Sequence, residues 1–309
     1  MVRKKKKFLI FTDLDGTLLD ADNYSFKEAL PALKEVKKRK IPLILSSSKT
    51  RAELELYQKK LKIEDPFISE NGGAIFIPPR YFNMVSLSNH RQLPGELRKK
   101  GKYLVLELGT PYQQIRRKFL EVFDELNLKV VGFGDLKAEE ISSLLNLSKT
   151  EAKLARKREY DEPFYFLKKI EKEKIKLAER EFNKNGLSLT TGGRLFHLTG
   201  DNDKGKAVKL LTQIYKSNWG NDLLTIGLGD SSNDLPMLES VDIAVLIRKK
   251  GNSYEQKILN KLSAGQLSVD SNETQMRSRG KVYKTSGMGP QGWNQAILDL
   301  IEKHELKAS

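Results

Sequence analysis

Two acidic motifs far apart in the chain offer most of the chemistry in this sequence. Asp13-Leu14-Asp15-Gly16-Thr17 follows the apolar run Phe8–Ile10, and Gly229-Asp230-Ser231-Ser232-Asn233-Asp234 follows the apolar run Leu223–Leu228. Carboxylates at the carboxyl ends of parallel strands converge on one crevice of an open α/β sheet. Clustered carboxylates repel one another unless a cation or a shared proton is present. The two motifs therefore predict a magnesium site with one carboxylate free to react.

The first motif has two alternative interpretations. A calcium loop also begins Asp-x-Asp, but it requires glycine at position six and glutamate at position twelve. Counting from Asp13, Gly16 occupies position four and Tyr24 occupies position twelve, which excludes such a loop. A solvated turn rarely follows so apolar a strand, and we therefore favour a catalytic role for Asp13 and Asp15.

The second motif invites comparison with a dinucleotide-binding fingerprint. That fingerprint needs a third glycine at position 232, where this chain has serine. We favour a metal site in which Asp230 is a ligand and Asn233 and Asp234 support it. Helix capping by Ser232 or Asn233 is an alternative, and capping and ligation can coexist. The three histidines show no paired ligand spacing, so no zinc site is predicted.

Hydroxyl and lysine side chains are further candidates for the functional site. The hydroxyls of Ser46, Ser47 and Ser48 follow an apolar run and precede a helix, where they and nearby amides could hold a phosphate oxygen. A plain N-cap at Ser48 or Thr50 is the alternative. Lys204 opens a helix, and on its own it would be interpreted as a solvated charge.

The composition limits the class of protein. The chain has 309 residues and a net charge of +15, and it contains no cysteine, which fits a reducing cytoplasm. No apolar run approaches the roughly 20 residues of a membrane-spanning helix, and we expect no membrane association. For the positive charge we favour a solvated, lysine-rich surface; a field that attracts anionic substrates and nucleic-acid binding are the alternatives.

The elements that must position these residues alternate between strand and helix. Short apolar runs near 7–13, 41–45, 223–228 and 242–247 predict buried strands, and helices between them imply parallel pairing. Thr50-Arg51-Ala52-Glu53 predicts a capping box that opens a helix. We expect a catalytic core from residues 1–83 and 198–309, with an α+β module inserted at 84–197 that includes helices near 137–157 and 169–184. Residues 248–286 predict a long surface loop with one helix near 254–262.

Together these motifs resemble the haloacid dehalogenase-like phosphatase superfamily. Its four motifs appear in order: Asp13-x-Asp15-Gly16-Thr17, the hydroxyl of Ser47, Lys204 and Gly229-Asp230-x-x-Asn233-Asp234. The inserted module resembles the larger α/β cap of one branch. The resemblance implies an α/β fold with a doubly wound, mostly parallel sheet and an inserted α+β cap that sets specificity.

Further segments over nearly the whole chain look like the mannosyl-3-phosphoglycerate phosphatase family. These segments are Ser48–Glu53, Ser69–Ile75, Arg158–Phe164, Gly192–Arg194, Asp203–Val208 and Gly289–Asn294. Ser47 stands where we expect threonine, which keeps the hydroxyl. The stretch 248–286 is longer and more basic than the family pattern suggests.

The family resemblance implies an activity. It is the Mg²⁺-dependent hydrolysis of mannosyl-3-phosphoglycerate to phosphate and mannosylglycerate, a compatible solute, through an aspartyl-phosphate. A glucosyl-3-phosphoglycerate phosphatase and a broader sugar-phosphate phosphatase remain open, and nucleic-acid binding is a remote alternative. The implied partner is a small anionic sugar phosphate, and the implied location is the cytoplasm.

The same resemblance implies residue roles. Asp13 would be the nucleophile, Asp15 the general acid and base, and Lys204 a catalytic cation. The phosphate-binding residues would be Ser47, Lys204 and Asn233, and the magnesium ligands would come from Asp13, the Asp15 carbonyl, Asp230 and Asp234. In the cap, Arg158, Glu159 and Arg194 would contact the glycosyl and glycerate groups.

Overall fold

The computed structural model describes residues 6–83, 97–192, 195–263, 268–269 and 281–306. The chain forms two compact units. Unit 1 comprises Met1–Ser47, Pro78–Leu93 and Lys204–Ser309, and unit 2 comprises Ser48–Ile77 and Pro94–Asp203. Residues 48–77 thus cluster with unit 2, while the expected insertion boundaries at 84 and 197 stay a prediction.

Strands and helices alternate along most of the chain. The strands are β1 (Lys7–Thr12), β2 (Leu43–Ser46), β3 (Phe67–Ser69), β4 (Ala74–Ile77), β5 (Leu97–Lys100), β6 (Tyr103–Glu107), β7 (Val130–Gly132), β8 (Asp161–Phe166), β9 (Ser188–Gly192), β10 (Leu195–Thr199), β11 (Leu223–Gly229), β12 (Ile243–Arg248), β13 (Ser268–Val269) and β14 (Lys281–Met288). The α-helices are α1 (Leu30–Lys38), α2 (Arg51–Leu61), α3 (Tyr112–Glu125), α4 (Ala138–Leu145), α5 (Lys149–Ala155), α6 (Lys172–Lys184), α7 (Lys204–Trp219), α8 (Leu235–Leu238), α9 (Gln256–Ser263) and α10 (Gly289–Leu306). Single 3-10 turns occur at Lys27–Ala29, Glu70–Gly72 and Ser232–Asp234.

The sheet of unit 1 is parallel among the described residues. Its strand order is β13-β14-β12-β11-β1-β2, and every neighbouring pair is parallel. The strands β2 and β11 are buried along their whole length, which explains their unbroken apolar sequences. The carboxyl ends of β1, β2 and β11 consequently lie at the same edge of the sheet.

Unit 2 contains antiparallel sheet and helices. One set of strands has the order β3-β4-β6-β5, and a separate four-stranded sheet has the order β7-β8-β10-β9. Helices α3 and α6 pack on the latter through a core that includes Phe119, Phe123, Phe164 and Phe182. The expected fold class, a mostly parallel α/β sheet with an additional antiparallel module, is confirmed.

Two expectations about elements need correction. The single helix near 137–157 is two helices, because Asn146 adopts a left-handed conformation (φ 56°) that ends α4, and Ser148 caps α5. The stretch 248–286 is not one loop, since β14 begins at Lys281 and pairs in parallel with β12. Residues 264–267 and 270–280 of that stretch lie outside the described residues.

Other local expectations hold. The Thr50 capping box forms, with the Thr50 hydroxyl accepting the Glu53 amide at 3.2 Å and the Glu53 carboxylate accepting the Thr50 amide at 2.9 Å. Within the described residues, no helix combines the length and apolarity that a membrane span requires.

Candidate active site

Strand register places the two acidic motifs side by side in unit 1. Thr12 of β1 pairs with Leu228 of β11, and the Asp13 amide donates to the Leu228 carbonyl at 2.9 Å. Both motifs therefore leave the sheet at the same edge, as the sequence predicted. Oxygen atoms of Asp13, Asp230 and Asp234 lie within 4.8 Å of one another, and all three residues are buried.

Lys204 is a buried cation of this cluster. It is the first residue of α7 and is fully buried, and its Nζ lies 2.6 Å from Asp13 Oδ1 and 2.6 Å from Asp234 Oδ1. A buried ammonium at such distances forms charge-assisted hydrogen bonds with both carboxylates. Lys204 is therefore not the solvated charge that the isolated sequence would suggest.

Negative charge exceeds positive charge at this site. Burial raises the pKa of Asp13 well above its usual range, and Asp234, Asp230 and Asp15 raise it further against the lowering effect of Lys204. Burial and then Asp234 raise the pKa of Asp230 to about 7. Burial opposes the charge on Lys204, but Asp13 and Asp234 outweigh it and raise the pKa of the ammonium.

Asp234 organises the loop that follows β11. Its Oδ2 accepts the Asp230 amide at 3.1 Å, the Ser231 amide at 3.0 Å and the Ser231 hydroxyl at 3.1 Å. Its Oδ1 accepts Lys204, so both oxygens already have protein donors. These contacts fit a residue that positions Lys204 and Asp230, and metal ligation by Asp234 stays a prediction.

The Asp15 turn brings the chain close to the second motif. Gly16 has a φ of +78°, and a Cβ there would lie 2.9 Å from Asp230 Oδ2. Glycine is needed at this position both for the left-handed conformation and for the close approach. Asp15 itself is half-buried at this turn, and Ser47 is buried just after β2, the neighbour of β1.

Two supporting residues had no individual role in the sequence analysis. The Thr17 hydroxyl donates to Asp230 Oδ1 at 3.3 Å, and the indole of the fully buried Trp293 donates to Thr12 Oγ1 at 3.0 Å. The Thr12 hydroxyl in turn lies 2.8 Å from the Asp13 carbonyl. Thr17 belongs to the first motif. Trp293 lies 281 residues from its partner, and its segment Gly289–Asn294 was noted only for its family resemblance.

The candidate cap residues belong to unit 2. The guanidinium of Arg158 donates to the Ser48 carbonyl at 2.8 Å and lies 3.5 Å from Asp161, with its side chain only 6% exposed. Glu159 pairs with Arg51 at 3.1 Å and also with Lys100. Arg194 lies outside the described residues. Substrate binding by these residues stays a prediction.

The donor set suits a hard divalent cation. Asp13, Asp15, Asp230 and Asp234 face the buried ammonium of Lys204, and Lys249 also lowers the pKa of Asp230, so four carboxylates still outnumber the two ammonium groups that act on them among the described residues. Carboxylate oxygens are the ligands that Mg²⁺ prefers, and a bound cation would relieve the repulsion that raises the pKa values of Asp13 and Asp230. The arrangement can hold a metal beside a nucleophilic carboxylate.

Comparisons with known proteins agree with this geometry. A family of haloacid dehalogenase-like hydrolases matches residues 10–257. A glucosyl-3-phosphoglycerate/mannosyl-3-phosphoglycerate phosphatase of Methanococcoides burtonii is 44% identical over 96% of this chain and 98% of its own. A mannosyl-3-phosphoglycerate phosphatase of Pyrococcus furiosus is 39% identical over 77% of this chain and 90% of its own.

A solved structure supports the fold. The crystal structure of Thermoplasma acidophilum 0175 superposes with a TM-score of 0.61 at 18% identity, over 97% of this chain and 99% of that one. Similarity at this level of identity concerns the fold alone. The matched residues 10–257 span both acidic motifs and Lys204. The chain therefore belongs to the haloacid dehalogenase-like hydrolase family.

Proposed function

We propose that this protein is a Mg²⁺-dependent phosphatase that hydrolyses mannosyl-3-phosphoglycerate to mannosylglycerate and phosphate. The observation that carries the proposal is the buried contact between Lys204 and Asp13 inside a carboxylate cluster. The names of the relatives at 44% and 39% identity support the substrate. A cytoplasmic location is part of the proposal, because a compatible solute acts in the cytoplasm.

Asp13 is the proposed nucleophile. Hydrogen bonds from its amide to Leu228 and from Lys204 to Oδ1 hold the carboxylate in place. An Asp13 oxygen attacks phosphorus, the bond to the glycerate oxygen breaks, and an aspartyl-phosphate forms. A water then attacks the phosphorus of this intermediate, which releases phosphate and restores Asp13.

Asp15 is the proposed general acid and base. In the first step it donates a proton to the departing glycerate oxygen, and in the second it removes a proton from the attacking water. Its position at the Gly16 turn, two residues after the nucleophile, places both carboxyl groups on one short segment. One group can therefore react with phosphorus while the other transfers the proton.

Cationic and hydroxyl groups would stabilise the transferring phosphoryl group, which is the main task in this chemistry. We assign this role to Lys204, with the Ser47 hydroxyl and Asn233 as further phosphate ligands. Asp13, the Asp15 carbonyl and Asp230 would hold Mg²⁺, and Asp234 would support them. When bound, the cation would offset the charge of the phosphate and of the cluster.

The organic part of the substrate has a second candidate. The Methanococcoides relative carries both the glucosyl and the mannosyl name, so a dual glycosyl specificity is the second candidate. The two sugars differ in the configuration of one hydroxyl group. Arg158, Glu159 and Arg194 stay the proposed cap residues, with an arginine suited to the glycerate carboxylate.

Phosphate release tests the proposal. The purified protein should release phosphate from mannosyl-3-phosphoglycerate in Mg²⁺, and excess chelator should abolish the release. The glucosyl ester and a panel of simple sugar phosphates, measured in parallel, determine the specificity. Asp222→Asn, an exposed site in unit 1, is a matched control for Asp13→Asn. Release that survives the chelator would contradict the metal, and preference for unrelated phosphates would contradict the substrate.

A further inference from the structure

Glu70 of unit 2 makes an unusual set of contacts that the proposed reaction does not use. Its buried carboxylate accepts the Glu159 amide with both oxygens at 3.0 Å and the Tyr160 amide at 2.7 Å. Two consecutive backbone amides thus point at one side chain that lies 89 and 90 residues away in sequence. Because the acceptor is a buried carboxylate, each contact is stronger than an ordinary amide hydrogen bond when the group is ionised.

The backbone that carries Glu70 is strained. Glu70, Asn71 and Gly72 have positive φ values of 46°, 56° and 90°, and the first two are not glycine. Such conformations are strained for residues other than glycine and persist only where the surroundings impose them. The surroundings include the Glu70 amide, which donates to the Lys49 carbonyl at 3.0 Å, and the Asn202 amide group, which lies 3.3 Å from the Asn71 carbonyl.

A second contact joins the same two segments. The Asn71 amide group donates to Asp161 Oδ2 at 3.4 Å, beside the hydrogen bonds to Glu159 and Tyr160. Gly73 allows the close approach, because a Cβ at that position would lie 2.4 Å from the Tyr160 Cβ. The strained turn 70–73 therefore holds this segment at the backbone amides of Glu159 and Tyr160 and at the side chain of Asp161.

Two residues of the held segment, Glu159 and Tyr160, make polar side-chain contacts with other residues of unit 2. Glu159 pairs with Arg51 and Lys100, and the Tyr160 hydroxyl donates to Glu107 at 2.5 Å. These partners are between 31% and 39% exposed at their side chains, whereas Glu159 is 17% exposed and Tyr160 is buried, so a ligand would reach the group from the side of Arg51, Lys100 and Glu107. Their mixture of cationic, anionic and hydroxyl groups suits a polyhydroxylated acid.

We propose that Glu70 is a positioning residue that sets the conformation of Arg158–Asp161 and thereby the recognition of the organic part of a glycosyl-phosphoglycerate. This inference rests on the proposed phosphatase function and deepens it. Loss of the carboxylate releases two backbone amides and lets Glu159 and Tyr160 shift. A shift of about 1 Å in a positioning group can cost on the order of 100-fold in rate.

Glu70→Gln is the direct test. The NH2 group that replaces one carboxylate oxygen would face a backbone N–H of the held segment. One hydrogen bond is therefore lost, while the volume of the side chain is kept. Burial raises the pKa of Glu70 to about 8, against the lowering effect of Arg158, and assays at pH 9 therefore keep the carboxylate ionised in the wild type. Glu173→Gln, an exposed glutamate of α6, is the matched control.

The KM for the ester and the inhibition constant of inorganic phosphate distinguish a positioning role from a general loss of structure. The KM for mannosyl-3-phosphoglycerate should rise ~10-fold or more in Glu70→Gln, since recognition of the organic part depends on the held segment. The inhibition constant of inorganic phosphate should change less than about twofold, because the phosphate site lies in unit 1. Unchanged constants, or equal losses in both, would overturn the proposal while phosphatase activity stands.

Asn71→Gly keeps the proposal testable if Glu70→Gln does not fold. Glycine adopts the required positive φ without strain, so the variant should fold, and it removes the contact with Asp161. We expect the same selective rise in KM, smaller than in Glu70→Gln. Unchanged constants in this variant would overturn the proposal. A wild type that releases phosphate from no ester would instead refute the phosphatase function, and this inference with it.

Discussion

Replacing Lys204 by methionine tests the electrostatic account of the active site. Methionine fills a similar volume, but it removes the ammonium that lies 2.6 Å from Asp13 and 2.6 Å from Asp234. Two buried carboxylates then lose their cation, and a third, Asp230, lies within 4.8 Å. Removing one partner of a buried ion pair typically costs about 3–5 kcal/mol, because the remaining charge is uncompensated. We expect the free energy of unfolding to decrease by that amount at pH 8 in the presence of chelator.

The loss of stability should increase with pH. In the variant the pKa of Asp13 keeps its raising influences, led by burial, and loses the lowering effect of Lys204. A carboxyl group whose pKa is raised on folding binds a proton more tightly in the native state than in the unfolded chain. The stability of the variant should therefore fall as the pH rises above about 4, the unfolded pKa. The deficit relative to wild type should be smaller at pH 5 than at pH 8.

Urea unfolding monitored by tryptophan fluorescence provides the assay. Both tryptophans of the chain, Trp219 and Trp293, lie in unit 1, so the signal reports the unit that contains Lys204. Lys209→Met, an exposed position on the same helix, is the control and should change stability by less than about 0.5 kcal/mol. A deficit below about 1 kcal/mol for Lys204→Met at pH 8, or one independent of pH, would refute the reasoning.

Three further substitutions have expected outcomes. Asp13→Asn should abolish phosphate release and leave the urea midpoint at or above that of wild type, since it removes one of the repelling charges; turnover equal to wild type would exclude Asp13 as the nucleophile. Gly16→Ala should lower kcat by at least ~10-fold, because its Cβ would lie 2.9 Å from Asp230 Oδ2 at a φ of +78°, and an unchanged kcat would contradict the close approach. Thr50→Ala should cost about 1–2 kcal/mol in urea unfolding through loss of the α2 cap, whereas Thr50→Ser should cost less; equal costs would argue against the hydroxyl as the cause.

Much of the active site could be predicted from the sequence, because the patterns that indicate it lie within short segments. A buried strand of apolar residues followed by acidic residues places Asp13 and Asp230 at strand ends, and parallel pairing brings such ends to one edge. The Thr50 capping box was equally readable, since all its partners lie within three residues. In these cases the position of each residue follows from the local backbone conformation.

The sequence pattern predicted two elements less accurately, because their residues are compatible with more than one conformation. The expected helix near 137–157 is interrupted at Asn146, a residue that tolerates the left-handed conformation but does not require it. The strand β14 lies at the end of a polar, basic stretch, and its pairing with β12 makes it a strand. Tertiary pairing overrides a weak local preference here.

The sequence by itself determined the α/β pattern and the strand ends that carry the acidic motifs, because these follow from apolar periodicity. The family came from the resemblance of the motifs themselves. Only the tertiary structure decided that Lys204 is buried between Asp13 and Asp234, that Trp293 supports Thr12, and that Glu70 holds the backbone of the segment around residue 160. These partners lie between 30 and 281 residues apart, and their contacts depend on burial and sheet register, which local sequence does not specify.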